Sequence, residues 1–444
     1  IFEDDPVTLP ARSLAQELGT RMGAFERAFP DLGTSLGDAA RARYFPELAL
    51  SEWQELALTA VVRAYIAALD PHGQWVPHDE ESSLYADDPT FESEPKLWGD
   101  MLRTAVGVRI VDAPAPPLEL DDLILAVDGT PAAGLSVEHV EELSRAPLDP
   151  GAPIRRVVVL RQAAERPETV VVSFAGDDAS DEADALEAES ISYGSGSVLL
   201  VRIPDVPEDL GHELSDLISE LDPVARPAGI LLDLRGNGGG STEGACAALG
   251  VFLPGAPVFP LLHHGRMVEV LSAGAPSRPG RWSGPVAALV DQRTASAAEM
   301  IAGALDHYGR GPAVGALTFG KGCIQEYFDD ATGAGVLRLT TLLFALPDGV
   351  ALQRVGLEPR VRLELPGLEA KPERESDLKG AMPTQAGPDI RAAAWLGGPG
   401  WPDHHGHVGP CSDPTVCAAL RRIGGYASAV RRDSAVRRRS PGGR

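Results

Sequence analysis

The hydrophobic positions of this chain change period several times, and each change marks an element. Leu56, Ala60, Val61, Ala64, Tyr65 and Ala68 recur at helical spacing behind Ser51-Glu52-Trp53-Gln54, which opens like a helix cap. That helix is expected to stop at Leu69-Asp70-Pro71-His72-Gly73, because proline has no N–H to continue the ladder. The segment from Leu118 to Gly129 reads as a strand ending in an Asp-Gly turn, Val137 to Ala146 as a helix, and Arg155 to Leu160 as a closing strand. Two continuous apolar runs follow, Ser197 to Ile203 and Ala228 to Leu234, with an amphipathic helix from Glu208 to Leu221 between them. A strand, a crossover helix and a strand predict a parallel pair buried on both faces. An Ala-rich helix from Thr242 to Leu253, a buried strand from Val286 to Val290, a helix from Glu299 to Tyr308 and a β-return from Gly335 to Leu346 complete the pattern.

These elements divide the chain into a helical N-terminal region (1–94), a small β-rich domain (95–174) and an α/β core (190–366). Between the second and third, residues 175–189 are acidic and lack apolar periodicity, which predicts a linker or exposed helix. From 367 to 444 proline, glycine and charge dominate, and the basic end at Arg437, Arg438 and Arg439 predicts a mobile tail.

Composition narrows the function classes. The 444 residues carry 39 basic and 64 acidic side chains, a formal net charge of −25, which argues against a nucleic-acid partner. No apolar run approaches the roughly 20 residues that span a bilayer, and no signal peptide is visible, yet the chain begins at Ile1 without methionine, so a targeting segment can have been removed. Four cysteines in this length make no disulfide scaffold. Cys246 and Cys323 read as buried small hydrophobes, whereas Cys411 and Cys417 are close enough in sequence to bridge in an oxidising compartment. His404, His405 and His407 near that pair raise a metal site, but the spacing fits no standard zinc pattern, and no metal or cofactor is expected. His72 leaves a metal or catalytic role open, but the preferred reading is a polar turn residue.

The chemistry concentrates between Asp291 and Gln325. Ser296 stands directly before a helix, where backbone N–H groups and the positive helix end favour developing negative charge. Lys321 lies between Gly320 and Gly322, a single long amine on a backbone that can pack closely. A serine needs a base to attack a carbonyl, and a lysine serves if burial lowers its pKa toward neutrality. Taken singly, Ser296 is a helix cap and Lys321 a loop charge; together they suggest a Ser–Lys dyad. The glycine turn Gly238-Gly239-Gly240 at a strand's carboxyl end offers bare N–H groups, and without a lysine-serine ending it is no phosphate loop.

Four ordered stretches resemble the C-terminal processing (tail-specific) serine peptidases. Thr294-Ala295-Ser296-Ala297-Ala298-Glu299 is similar to their Ser-Ala-Ser-Ala-Ser-Glu, and Gly320-Lys321-Gly322-Cys323-Ile324-Gln325 to their Gly-Lys-Gly-Thr-Val-Gln. Upstream, Asp233-Leu234-Arg235-Gly236-Asn237-Gly238-Gly239-Gly240 and Leu69-Asp70-Pro71-His72 resemble two further family motifs. The resemblance covers roughly residues 45 to 365. It implies a crotonase/Clp-protease-like core sheet with helices and a reduced PDZ-like domain at 95–174, in which only Val106-Gly107-Val108 remains of the peptide-carboxylate loop. It further implies Ser296 as nucleophile, Lys321 as general base, Gln325 orienting the lysine, an oxyanion hole from Gly239 or Gly240 with Ala297, and Glu299 and Thr318 in support. The implied substrate is a protein near a disordered, apolar C-terminus, outside the cytoplasm. Two departures stand out: His307, where the family often has aspartate, and Arg360 in place of the usual aspartate. A His307 base is disfavoured, since eleven residues of helix rise ~16 Å. The competing class is a relative without turnover that binds apolar ligands or peptides as a scaffold.

Overall fold

The structure, a computed structural model, describes residues 49–78, 96–145, 154–173, 186–364 and 374–425, apart from gaps of one to four residues, with Leu84 and short helical pieces between 16 and 43. Most of the acidic segment 175–189 and the basic end 426–444 lie outside the described residues. The chain forms two compact units, 1–58 with 92–182 and 59–91 with 183–444.

In the first unit Met101–Arg103, Val108–Ile110, Leu123–Val127, Ile154–Leu160 and Glu168–Ser173 form one sheet in that order, with Thr130–Pro131 paired to Leu123–Val127 and the Val137–Ser144 helix beside them in sequence. Its core is Val108, Ile110, Ile124, Val127, Val140, Val157, Val159 and Val172. The expected strand, turn and helix are all present. The loop before Val108 is closed: Thr104 Oγ1 accepts from the Val106 N–H (3.4 Å) and donates to the Gly107 carbonyl (3.1 Å).

The second unit is built on a six-stranded sheet in the order Val361–Arg362, Ala313–Gly315, Val286–Val290, Ile230–Asp233, Gly196–Arg202, Ala188–Tyr193. All neighbours are parallel except the final hairpin. Successive side chains of a strand point to opposite faces, and both faces here are covered. Val201, Ile230, Leu232, Val286, Ala288 and Val290 share one core with the Leu210–Glu220, Thr242–Phe252 and Ala297–His307 helices. Val198, Leu200, Leu231, Ala287 and Leu289 enter the other. That double burial explains the uninterrupted apolar runs.

Two boundaries differ from expectation. Residues 59–91 go with the second unit, because Gln74–Pro77 pairs antiparallel with Gly335–Phe344. The segment expected to be a mobile tail from 367 instead covers the second sheet face, through Trp401, Val416, Ala419, Leu420 and Ile423 of its described residues. Trp401 Nε1 donates to Tyr193 Oη at 3.0 Å. Cys411 and Cys417 are disulfide-bonded. A composition rich in glycine and proline hid these few well-spaced anchors.

A second, antiparallel sheet joins Gln74–Pro77, Gly335–Phe344, Pro257–His263 and Arg266–Ser272, with Cys323–Asp329 also paired to Gly335–Phe344. It carries the segment that follows Lys321.

Candidate active site

Parallel strands end together. Asp233 lies opposite Leu289 in register, so the loops 234–241 and 291–296 leave the sheet side by side. Asp291, buried, ties them: its Oδ1 accepts from the N–H groups of Gly236 (3.1 Å), Arg293 (2.9 Å) and Thr294 (3.0 Å). Thr294 Oγ1 donates to the Leu234 carbonyl at 2.8 Å, and the Ala295 N–H to the Asn237 carbonyl at 2.9 Å. Asn237, fully buried, donates through Nδ2 to the Ile203 carbonyl and accepts the Gly239 N–H on Oδ1 (2.8 Å).

Ser296 terminates this arrangement as the N-cap of the Ala297–His307 helix, with φ 51° and ψ −120°. A non-glycine residue held at positive φ costs about 1–3 kcal/mol and persists only where its surroundings fix it. One neighbour doing so is Gly239 (φ 112°): a Cβ there would lie 2.7 Å from Ser296 Cβ and 3.1 Å from the Ala297 nitrogen. Only glycine fits. The Gly239 N–H is taken by Asn237. The N–H groups of Gly240 and Ala297 donate to no other described residue.

Glu299 links the serine to the lysine loop. Its carboxyl, wholly buried, accepts the N–H groups of Ser296 (3.0 Å) and Lys321 (2.9 Å) on the same Oε2, so the two main chains meet across a single oxygen. Oε1 accepts from the Gly320 N–H at 2.8 Å and from Thr318 Oγ1. Burial pushes this carboxyl up to about 7, against the downward pull of the four donors. Thr318 Oγ1 in turn accepts the Leu357 N–H at 2.7 Å. The glycines beside Lys321 permit close approach, since a Cβ on Gly322 would lie 2.5 Å from the Gln353 nitrogen. Lys321 itself is half-buried, and among the described residues its Nζ makes no ion pair or hydrogen bond.

Gln325 differs from expectation. Its Nε2 donates to Thr340 Oγ1 (3.0 Å) and Cys323 Sγ (3.3 Å), with no bond to Lys321. A bulge between Ile324 and Gln325 puts Gln325 opposite Thr340, and Cys323 shares its strand face. Thr340 leads on to Asp70, which is buried and accepts the Thr340 N–H (2.7 Å) and hydroxyl (3.1 Å).

The two departing residues have structural partners. His307 sits at the far end of the helix, with Nδ1 2.7 Å from Asp348 Oδ2. Arg360 forms a fork with Asp306, Nε to Oδ1 and Nη2 to Oδ2, both 2.9 Å. A cation at a helix C-terminus is favourable there. The residues that sequence reasoning missed, Asp291, Asn237, Asp70 and Thr340, are short polar groups in turns or strands. Their only signal is membership of, or adjacency to, the quoted stretches.

Comparison with known proteins finds similarity to one family. Residues 197–363 match the family model for Peptidase family S41. The chain is 33% identical over 181 residues to a carboxy-terminal processing protease CtpA of Bacillus subtilis, covering 40% of this chain and 37% of that one. It is 25% identical over 317 residues to a carboxy-terminal-processing protease of Bartonella bacilliformis, covering 69% of each. Of solved structures, a photosystem II D1 C-terminal processing protease aligns over 80% of this chain and 94% of its own, at 22% identity and TM-score 0.47. The chain thus spans little more than a third of the Bacillus relative's length and about two thirds of the Bartonella one's.

Proposed function

Residues 197–363 match the model of Peptidase family S41, and on that premise we propose that the chain is a serine endopeptidase that cleaves proteins near their C-termini with Ser296 and Lys321 as a dyad. Ser296 Oγ attacks the scissile carbonyl while the Lys321 amine takes its proton. The developing oxyanion is received by the N–H groups of Gly240 and Ala297 at the helix N-terminus. Lys321 then gives the proton to the leaving amine, and water repeats the sequence on the acyl-enzyme.

One observation carries this reading: Glu299 Oε2 holds the main chains of Ser296 and Lys321 together. Thr318 anchors the clamp, and Gln325 acts on the lysine loop through Thr340 and Cys323 rather than on the amine. The relatives named as carboxy-terminal processing proteases support a protein or peptide tail as substrate. Thr104 Oγ1 takes the Val106 N–H, one of the loop's donors, which supports a β-rich unit that positions or gates as much as one that captures a carboxylate. The Cys411–Cys417 disulfide supports an oxidising, extracytoplasmic compartment. Among the described residues no helix is long and apolar enough to cross a membrane.

The test is labelling with a fluorophosphonate. Wild-type protein should be modified at Ser296 and Ser296→Ala should not. A folded protein that takes no label and cleaves no unfolded test protein would favour the scaffold class.

A further inference from the structure

Three segments far apart in sequence converge beside the lysine loop, each bringing one metal-binding side chain. His72 comes from the turn after the Leu50–Leu69 helix, Cys323 from the first position of the Cys323–Asp329 strand, and Glu375 from the Glu375–Asp377 turn of 3-10 helix. A ring nitrogen of His72, Cys323 Sγ and a Glu375 carboxylate oxygen all lie within 4.8 Å of one another. We propose that these three side chains form a binding site for a borderline-soft divalent cation of the zinc class.

The donor set fits that class. A thiolate, an imidazole nitrogen and a carboxylate are zinc ligands, and three protein ligands leave a fourth position for water. Bonds of about 2.0–2.3 Å place tetrahedral donors roughly 3.3–3.8 Å apart, so an entering ion has to part the His72–Glu375 contact slightly from 2.9 Å and draw in any donor that stands as far as 4.8 Å. The charge balance fits as well. Glu375 is completely buried, and among the described residues its one cation-forming partner is His72, whose Nε2 stands 2.9 Å from Oε2 and 3.1 Å from Oε1. A buried carboxylate needs a compensating charge, and a bound dication supplies it while displacing the Cys323 thiol proton to solvent.

Supporting hydrogen bonds of the kind that orient metal ligands are in place. Gln353 Nε2 donates to Glu375 Oε1 at 2.6 Å, and Gln325 Nε2 to Cys323 Sγ at 3.3 Å. The His72 main-chain N–H is fixed on Asp70 Oδ1 at 3.0 Å. Gln353 Oε1 also accepts the Gly322 N–H at 2.7 Å, which ties the cluster to the residue after Lys321. His72 is the partly exposed member and gives the ion its way in. If the peptidase reading holds, an ion here pins the lysine loop; the binding itself does not depend on that reading.

Cobalt(II) titration of the full chain, with the Cys411–Cys417 disulfide kept oxidised, tests the site. A sulfur-to-cobalt charge-transfer band should saturate at one equivalent and be displaced by one equivalent of zinc. Cys246→Ser, altering the other free thiol, should keep the band. Cys323→Thr should abolish it, and His72→Ala should weaken cobalt binding at least tenfold, with thermal unfolding confirming that each variant folds. No thiolate band in the wild type, or a band unchanged in folded Cys323→Thr, overturns the proposal. A cobalt band in a protein that takes no fluorophosphonate would leave the site standing and remove the peptidase; labelling without a band would do the reverse.

Discussion

Replacing Glu299 with glutamine separates the electrostatics of the clamp from its shape. In the folded chain burial raises the Glu299 carboxyl from 4.5 to about 7. Between those values the folded protein holds a proton that the unfolded chain has released. This contribution to stability is therefore complete below pH 4.5 and is lost as pH rises through about 7. A shift of that size corresponds to roughly 3 kcal/mol. Glutamine cannot titrate, so Glu299→Gln should gain on the wild type by roughly 3 kcal/mol between pH 4.5 and 8, while groups common to both proteins cancel. Equilibrium urea unfolding of the two proteins across that range measures the difference directly. A flat difference would mean that Glu299 is ionised throughout and that its four donors at least offset burial. Activity should move the other way. Only the ionised carboxyl can accept from Ser296, Lys321, Gly320 and Thr318 at once, so turnover should rise through the same window. In Glu299→Gln the amide NH2 faces N–H donors that lose their acceptor, about 1–3 kcal/mol each, and cleavage should fall tens- to hundreds-fold at pH 8.

Ser296→Ala and Lys321→Ala should each lower cleavage about as much as the double variant, by at least a thousandfold, because the pair acts as a unit; near-normal turnover in folded Lys321→Ala would remove the base. Gly239→Ala combines a positive φ with a Cβ 2.7 Å from Ser296, so fluorophosphonate labelling should drop at least tenfold at a stability cost of about 1–3 kcal/mol, and unchanged labelling would show that Ser296 is not held from that side. Arg360→Met leaves the buried Asp306 without its fork and should cost about 1–3 kcal/mol in urea unfolding with labelling intact. His307→Ala should leave kcat near wild type, since its ring serves Asp348 at the distant end of the helix.

Local signals determined much of this protein. The apolar runs at 197–203, 228–234 and 286–290 read as buried strands because both sheet faces are covered, and a side chain buried on either face must be apolar. In the stretch from Asp291 to Gln325, a helix cap and a glycine-flanked lysine are local features that single out Ser296 and Lys321, whereas Glu299 and Thr318 came only with the family resemblance. What the residues do to one another was settled elsewhere. That one oxygen of Glu299 joins Ser296 to Lys321, that Gln325 turns to Thr340 and Cys323, and that Asp291 and Asn237 lock two loops together all depend on strand register and a bulge. Arg360 looked like a damaged motif until Asp306 appeared beside it. The segment after 367 looked like a tail because glycine, proline and charge dominate its composition and masked the helical spacing of Val416, Ala419, Leu420 and Ile423, which with Trp401 close a sheet face. His72, Cys323 and Glu375 show the limit most plainly: no spacing links them, and only the folded backbone brings a turn, a strand and a short helix to one point. Periodicity is a property of neighbours in the chain, whereas a site is a property of neighbours in space.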